Sequence, residues 1–226
     1  MRLSVVIPVG PGEQAWRELL PDLAGLGAGT EVILVSPPRS APASFDPARF
    51  GLARPARWIE APAGRACQQN AGARLASGTT LWFLHADSRL PRASVEAAMR
   101  FAGQQALGYF ELRFRRDGPR LVRLNAFGAR IRSRWLGLPF GDQGLMLPRG
   151  LFTRLGGFDE DLESGEDHAL VWAVRRAGVS LVALDAAIYT SARRYAEKGW
   201  LRTTLRHLRM SVQQARAFSA MPEQRE

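Results

Sequence analysis

The sequence has little cysteine, almost no lysine and no long apolar run. Cys67 is the only cysteine among 226 residues, so an intrachain disulfide is excluded, and its apolar surroundings predict a buried thiol. No apolar run reaches the ~18 residues that a membrane-spanning helix needs. The first apolar segment is broken by Pro8 and Gly10, which is untypical of a secretory signal. These absences predict a cytoplasmic protein.

The composition that remains is that of a basic globular chain. Hydrophobic residues make up 46% and charged residues 23%, which predicts one folded domain with a substantial core. The formal net charge is +10, and nearly all of it comes from arginine. Such a charge attracts nucleic acid, anionic lipid or phosphate-bearing substrates, and by itself it does not choose among them.

Strands and helices are predicted to alternate in the first half. Short apolar runs indicate buried strands at 3–8, 31–36, 57–60 and 79–84, with helical patterns between and after them. Continuous apolar strands joined by helices indicate a parallel α/β sheet. The second half is less regular, and its predicted elements are a half-exposed strand at 108–114, helices at 120–134 and 165–177, strands at 144–147 and 180–184, and a basic amphipathic helix at 198–218.

Asp87 follows the strand predicted at 79–84. Ligands of open α/β sheets bind at the carboxyl ends of strands, and a carboxylate there can hold a divalent cation that binds diphosphate oxygens. His85 points the same way on an extended chain and is a candidate second ligand. The alternatives are a helix cap for Asp87, which Ser88 could equally provide, and a buried, hydrogen-bonded role for His85.

Glu166 and Asp167 begin the helix predicted at 165–177. Carboxylates in a first helical turn interact well with the helix dipole, which is the structural alternative. Acidic residues nevertheless crowd between 159 and 167 in a chain that is otherwise basic. We therefore predict that Asp167 accepts the proton of a reacting hydroxyl and that Glu166 supports it.

Two further segments carry candidate phosphate-binding side chains. Arg65 and Asn70 are polar residues in a helix of small residues, and Arg193 and Arg194 stand together beside an aromatic residue. Arginine binds phosphate through paired hydrogen bonds. Solvated surface positions are the alternative for the three arginines.

Seven segments in this order resemble the family 2 glycosyltransferases, which have the GT-A fold. The similarity covers nearly the whole chain and is closest to a bacterial subgroup known as radical-SAM/selenodomain-associated transferases. The segments are SVVIPV (4–9), GRACQQNAGA (64–73), FLHADSRLP (83–91), GDQGLML (141–147), GGFDE (156–160), GED (165–167) and SARRY (191–195).

The resemblance implies an α/β fold of GT-A type: a Rossmann-like, mostly parallel central sheet flanked by helices, followed by a C-terminal basic helix. It implies one domain over 1–226, with a nucleotide-binding half at 1–106, an acceptor and catalytic half at 107–197, and an amphipathic helix at 198–226. The implied activity is that of a hexosyltransferase that moves a sugar from a nucleoside-diphosphate sugar to an acceptor hydroxyl with inversion. The implied cofactor is Mg²⁺ or Mn²⁺.

The resemblance also implies roles for single residues. Asp167 falls on the general base, and Asp87 falls on the last acidic position of the D-x-D metal motif, whose first position is His85 here. The nucleotide is expected near Pro8, Val9 and Arg65. The acceptor or sugar side is expected at four residues, namely Asp142, Gln143, Gly157 and Phe158.

Two alternatives come from other functional classes. A nucleotidyltransferase usually carries a cation in the glycine-rich loop after its first strand, whereas the loop at 9–13 has none. A basic nucleic-acid or membrane-binding module would use the helix at 198–218, where Arg202, Arg206 and Arg209 are spaced for one face. We favour that helix as an accessory of an enzyme with peripheral contact at the inner membrane face, and we expect no specific nucleic acid.

Overall fold

A computed structural model describes residues 2–27, 29–52 and 55–219. Residues 220–226 of the predicted C-terminal segment therefore lie outside the described residues. The described strands are β1 (Leu3–Pro8), β2 (Thr30–Ser36), β3 (Ala56–Glu60), β4 (Thr80–Phe83), β5 (Leu107–Phe114), β6 (Met146–Pro148) and β7 (Leu181–Thr190). The described α-helices are α1 (Trp16–Asp22), α2 (Arg65–Leu75), α3 (Arg92–Phe101), α4 (Val122–Trp135), α5 (Arg149–Arg154), α6 (Glu166–Arg176), α7 (Arg193–Lys198) and α8 (Trp200–Ser219).

All seven described strands form one sheet in the order β3-β2-β1-β4-β6-β5-β7. The strands β1 to β4 are parallel, and β5 is parallel to β7. The short strand β6 lies between β4 and β5 and is antiparallel to both. The predicted α/β fold with a mostly parallel sheet is confirmed.

The central strands are apolar throughout because both faces of the sheet are covered. Leu3, Val5 and Ile7 of β1 pack into the core on one face, and Val6 packs into the core on the other. Helix α2 comes so close to β1 that a Cβ atom on Gly72 would lie 2.4 Å from Val6 Cγ1. This close packing fixes α2 against one face of β1.

Two local predictions about α2 are wrong. Cys67 is only partly buried, and its thiol donates a hydrogen bond to Glu160 Oε2 at 3.3 Å, because the buried face of the helix is made by other residues such as Ala66 and Ala73. The sequence also predicts a helix over 64–77 that Gly78 would end, whereas α2 ends at Leu75. Gly78 lies where a Cβ atom would be 2.6 Å from Ser4 Oγ, so the glycine allows close packing instead of ending the helix.

The second half differs more from its prediction. Strand β5 is buried over its first four residues rather than half-exposed, and Phe110 stacks on Trp82 with ring centroids 5.5 Å apart. Strand β7 is longer than predicted and pairs with nearly all of β5. The basic segment after β7 forms the separate helix α7, and Gly199, at a φ of 80°, divides it from α8. Among the described residues, no helix is both long and apolar enough to cross a membrane.

Candidate active site

The carboxyl ends of β1 and β2 are held together by the side chain of Gln68. Its amide Nε2 donates hydrogen bonds to the carbonyl oxygens of Val9 at 2.9 Å and Val35 at 2.6 Å. Pro8 and Val9, which were predicted to be near a nucleotide, are both buried at this point. Gln68 was missed by the sequence reasoning, and it fixes the width of the crevice at this edge of the sheet.

Asp167 and His85 meet at the backbone of Gly141. The Gly141 N–H donates to Asp167 Oδ2, and the His168 N–H donates to Asp167 Oδ1 at 2.8 Å. A Cβ atom on Gly141 would lie 2.9 Å from Asp167 Oδ2 and 3.2 Å from His85 Nε2. The end of β4 and the start of α6 therefore converge on one glycine, where a side chain would not fit.

Asp142 brings a buried carboxyl group to the same place. Its Oδ1 atom is buried without a hydrogen-bond partner among the described residues. Burial raises the pKa of Asp142 to about 6; Arg132 opposes this rise and the charge of Asp167 adds to it. A carboxyl group in this state exchanges its proton near neutral pH, as a residue of a reactive site does.

His85 is also incompletely paired. Its Nε2 atom is buried with no hydrogen-bond partner in the described part of the chain. Burial lowers the pKa of His85 well below its usual value, and the charges of Arg65 and Arg194 lower it further. The imidazole is therefore neutral near pH 7 and can act as a ligand or as a hydrogen-bond partner.

Asp87 lies just beyond β4 and faces the end of β7. Its Oδ2 atom accepts a hydrogen bond from Thr190 Oγ1 at 3.4 Å. Burial raises the pKa of Asp87, while the charge of Arg194 lowers it and that of Glu13 raises it. Helix α3 begins at Arg92 without a side-chain cap, so the alternative of a helix cap at Asp87 is wrong.

Glu166 and Arg65 form an ion pair across the crevice. Arg65 Nη1 lies 3.2 Å from Glu166 Oε1, and the arginine is half-exposed whereas the glutamate is buried. Burial and the neighbouring Asp167 raise the pKa of Glu166, and Arg65 lowers it. The pair borders a cleft of about 450 Å³ between the start of α2 and the loop 160–166. Glu166 thus holds Arg65 at the site, and its predicted support of Asp167 stays a prediction.

The two arginines at the start of α7 have different surroundings. Arg193 bonds back to Ser191 Oγ through its Nε at 3.0 Å, whereas the charge of Arg194 acts on Asp87 and His85. Asp117 fixes the segment by accepting hydrogen bonds from Ser191 Oγ at 2.7 Å and from the N–H of Ala192 at 2.8 Å. Of the two predicted phosphate-binding arginines, Arg194 is the one whose charge reaches the site.

Asn70 is hydrogen-bonded to the segment Gly157–Phe158 beside the site. The side chain of Asn70 donates to the carbonyl of Phe158 at 2.8 Å and to Glu160, and it accepts from the Phe158 N–H at 2.9 Å. The ring of Phe158 packs against Phe83 with centroids 4.8 Å apart. These groups fix the beginning of the acidic loop, and direct contact of Asn70 with a nucleotide or of Gly157 and Phe158 with a sugar stays a prediction.

Gln143 and Arg132 support the turn that carries Asp142. Gln143 is buried, and its Nε2 donates to the carbonyl of Phe110 at 2.9 Å. Arg132 of α4 lies 3.3 Å over the ring of Phe140 and donates to the carbonyl of Leu138 at 2.9 Å. Arg132 was missed because α4 contains several arginines and only the fold shows which one is turned inward.

The side chains of the candidate site could hold a divalent cation only together with phosphate oxygens of a bound molecule or with water. In the described part of the chain, no group of three or more histidine, cysteine, aspartate or glutamate side chains is placed to hold a metal ion. Asp87 and the neutral His85 remain as two candidate ligands at one edge of the sheet. Mg²⁺ and Mn²⁺ are commonly held by one or two protein ligands together with phosphate oxygens and water.

Solved glycosyltransferase structures have the same fold. A mannosyltransferase of Pyrobaculum calidifontis, PcManGT, in complex with GDP-Man and Mn²⁺, matches 98% of this chain with a TM-score of 0.69 and 19% identity. Residues 1–349 of TarS from S. aureus, in complex with UDP-GlcNAc, match 84% of this chain with a TM-score of 0.60 and 20% identity.

This chain spans 65% of the PcManGT chain and 58% of the TarS chain, which is less than two thirds of each. At these identities the likeness shows the fold, and the predicted GT-A fold is confirmed. No protein-family model and no curated protein sequence matches the chain.

Proposed function

We propose that this chain is a glycosyltransferase that moves a sugar from a nucleoside-diphosphate sugar to an acceptor hydroxyl. One observation carries the proposal: Asp167 and His85, far apart in the sequence, meet at Gly141 at the carboxyl edge of the sheet. Ligands of open α/β sheets bind at this edge. The nucleotide sugars in the PcManGT and TarS structures support the choice of donor.

Asp167 is the proposed general base. Two backbone N–H groups hold its carboxylate, so its orientation is fixed before the acceptor arrives. The acceptor hydroxyl gives its proton to Asp167 while its oxygen forms a bond to the anomeric carbon. The bond from that carbon to the diphosphate breaks on the opposite face, and the nucleoside diphosphate leaves with the electron pair. This direct displacement inverts the anomeric configuration.

Arg65 and Arg194 are the proposed partners of the diphosphate. Arg65 is held by Glu166, and the charge of Arg194 already acts on Asp87 and His85. Arginine donates paired hydrogen bonds to phosphate oxygens. In this proposal the segment 1–106 binds the nucleotide, and the segment 107–197 supplies the base and the acceptor side.

Asp87 and His85 are the proposed protein ligands of Mg²⁺ or Mn²⁺. A carboxylate oxygen and a neutral imidazole nitrogen without another partner suit such an ion. The ion would neutralise charge on the leaving diphosphate. The family 2 assignment, its radical-SAM-associated subgroup and the cytoplasmic location stay predictions from the sequence.

Thermal shift of the full chain across nucleoside diphosphates and nucleotide sugars tests the proposal. We expect at least one nucleotide sugar to raise the melting temperature, and more strongly with Mn²⁺ than with EDTA. The Asp87→Ala variant should weaken binding in Mn²⁺ and change it little in EDTA. An equal loss in both conditions would refute the metal role of Asp87.

Product analysis separates this function from nucleotidyl transfer. We expect release of nucleoside diphosphate from the stabilising nucleotide sugar when an acceptor is present. Release of pyrophosphate from a nucleoside triphosphate and a sugar phosphate would identify a nucleotidyltransferase and overturn the proposal.

A further inference from the structure

Helix α4 presents a row of large apolar side chains to solvent. Leu124, Phe127, Ile131 and Trp135 follow one another at spacings of three or four residues, so they lie on one face of the helix. Their side chains are between 42% and 84% exposed, with Trp135 the most exposed. The opposite face, with Val122, Ala129 and Ser133, is buried against the sheet.

Helix α8 presents a second row with the same spacing. The residues are Leu201, Leu205, Leu208 and Val212, and they are between 44% and 61% exposed. Thr203, which points to the other side of the helix, is buried. A water-facing helix of a globular protein normally carries polar residues on its outer face, and these two helices do not.

The two helices meet near their first turns. Asn125 of α4 donates a hydrogen bond to Thr204 Oγ1 at 3.0 Å and accepts one from Trp200 Nε1 at 2.7 Å. Both partners belong to the first turns of α8. We call the two exposed rows, with the arginines beside them, the α4/α8 face.

The charge of the α4/α8 face has one sign. The segments 120–135 and 198–219 contain no aspartate and no glutamate. Six exposed arginines accompany the apolar rows, namely Arg123, Arg130 and Arg134 on α4 and Arg202, Arg206 and Arg209 on α8. A second copy of this chain would bring the same positive charges together, so its own face is a poor partner. A negatively charged partner complements this face.

We propose that the α4/α8 face docks on the surface of a bilayer that contains anionic lipid. Eight large apolar side chains in two rows, on helices that meet near their first turns, exceed the single exposed residues that are normal on a soluble surface. Amphipathic helices of this kind lie in the plane of the interface, with the apolar row at the acyl boundary and arginines at the phosphates. This inference goes beyond the proposed sugar transfer and does not depend on it.

The docked face adjoins the candidate active site. On the inner side of α4, the charge of Arg132 acts on Asp142. On the inner side of α8, the ring of His207 meets the hydroxyl of Tyr195, with 3.2 Å between His207 Nδ1 and the oxygen. The bilayer would therefore lie about one helix diameter from the site, ~10 Å, where a membrane-borne acceptor could reach it.

Flotation of the full chain with vesicles tests the proposal. We compare phosphatidylcholine vesicles with and without phosphatidylglycerol, each at low and high salt. The chain should float with the anionic vesicles, with a partition coefficient at least about tenfold higher than with neutral ones, and high salt should weaken it. Equal partition into both kinds of vesicle, or none into either, would overturn the proposal.

Paired variants locate the contact. Phe127→Glu with Trp135→Glu, and separately Arg206→Glu with Arg209→Glu, should each lower partition into anionic vesicles at least about tenfold. The matched control is Leu75→Glu with Arg49→Glu, since Leu75 is an exposed leucine of α2, at 50%, and Arg49 is an exposed arginine outside both helices. The control should bind within about twofold of the original chain.

Light scattering distinguishes the remaining partner. If the original chain is a dimer that the Phe127→Glu and Trp135→Glu changes convert to a monomer, the face is a contact between copies and the proposal is wrong. Circular dichroism checks that the variants are folded. If a variant unfolds, flotation of the unaltered chain with anionic and with neutral vesicles still tests the proposal.

Discussion

The buried carboxyl groups at the two ends of the parallel strands differ in how many hydrogen bonds they accept. At the amino ends, Glu31 accepts hydrogen bonds from Ser4 Oγ at 2.7 Å, from the N–H and Oγ of Ser77 at 2.6 and 2.7 Å, and from Arg57 at 2.7 Å. At the carboxyl ends, Asp142 Oδ1 has no hydrogen-bond partner within the described ranges. Both groups are attached to the same sheet.

The pKa values of the two groups record this difference. Burial alone would raise the pKa of Glu31, but the hydrogen bonds from Ser4, Ser77 and Arg57 outweigh it and lower the value to about 2. Burial raises the pKa of Asp142 to about 6. A buried charge stabilises the fold only where hydrogen-bond donors replace its water, and where donors are missing the charged form costs stability.

The largest expected effect belongs to the carboxyl ends and concerns activity. Asp167→Asn keeps the shape of the side chain and removes the proton acceptor. We expect kcat to fall by about 10²- to 10⁴-fold, since this is the usual contribution of a general base. Nucleoside diphosphate release with saturating donor and acceptor measures it. Asp185→Asn, at an exposed position of β7, is the control and should keep its activity. Near-original turnover in Asp167→Asn would contradict the assignment.

The next effect belongs to the amino ends and concerns stability. Because the pKa of Glu31 falls from 4.5 to about 2 on folding, its charged form stabilises the protein above pH 4.5, and this contribution is lost as the pH falls toward 2. Glu31→Gln should lower the free energy of unfolding at pH 7 by about 2 to 3 kcal/mol. Urea unfolding at several pH values measures it. A loss that stays constant down to pH 2 would show that the charge is not responsible.

The opposite sign is expected at Asp142. Its pKa rises from 3.8 to about 6 on folding, so its contribution to stability is complete below pH 3.8 and is lost as the pH rises through 6. Asp142→Asn removes this loss, and the variant should be more stable than the original chain at pH 7 by about 1 to 3 kcal/mol. The same urea titrations measure the difference. If the variant is less stable at pH 7, the charged Asp142 stabilises the fold as Glu31 does, and the proposed difference between the two groups is wrong.

The smallest expected effect concerns how much the half-exposed Arg57 adds to the free energy of unfolding through its pairing with Glu31. Arg57 pairs with Glu31 and donates to the carbonyl of Leu75 at 2.9 Å, but its side chain is about half-exposed. Solvent screens such a pair, so Arg57→Ala should cost only about 0.5 to 1 kcal/mol in the free energy of unfolding. Unfolding curves at low and high salt measure it. A cost as large as that of Glu31→Gln would mean that the arginine, rather than the serine donors, stabilises the carboxylate.

Most of the first half of the fold could be predicted because three of its strands, β1, β2 and β4, are buried. The runs at 3–8 and 31–36 are mostly apolar, and β1 and β2 were found there within a residue. The second half carries weaker patterns. Strand β6 has only three residues and includes Pro148, so its antiparallel direction depends on partners that are distant in the sequence. Strand β7 continues through Asp185 and two alanines, where no apolar pattern marks it.

The charged residues of the candidate site could be predicted better than the groups that position them. Asp87 and Asp167 stand at ends of predicted elements, which is a signal in the sequence itself. The backbone N–H of Gly141 has no such signal, because its role exists only once α6 has packed beside it. Gln68 and Arg132 have polar neighbours of the same types, and only the fold shows which of them contacts the site.

The hydrogen bonds of Asn70 affect which insertions this chain can accept during evolution. Asn70 is hydrogen-bonded to the backbone of Phe158, at one end of the acidic loop. The ion pair of Arg65 with Glu166 attaches the other end of the loop to the same helix. Because both ends are attached, extra residues inserted between them would leave Asp167 in place, and each doubling of the loop costs only about 0.6 kcal/mol in closure entropy. The loop can therefore be lengthened without rebuilding the candidate site.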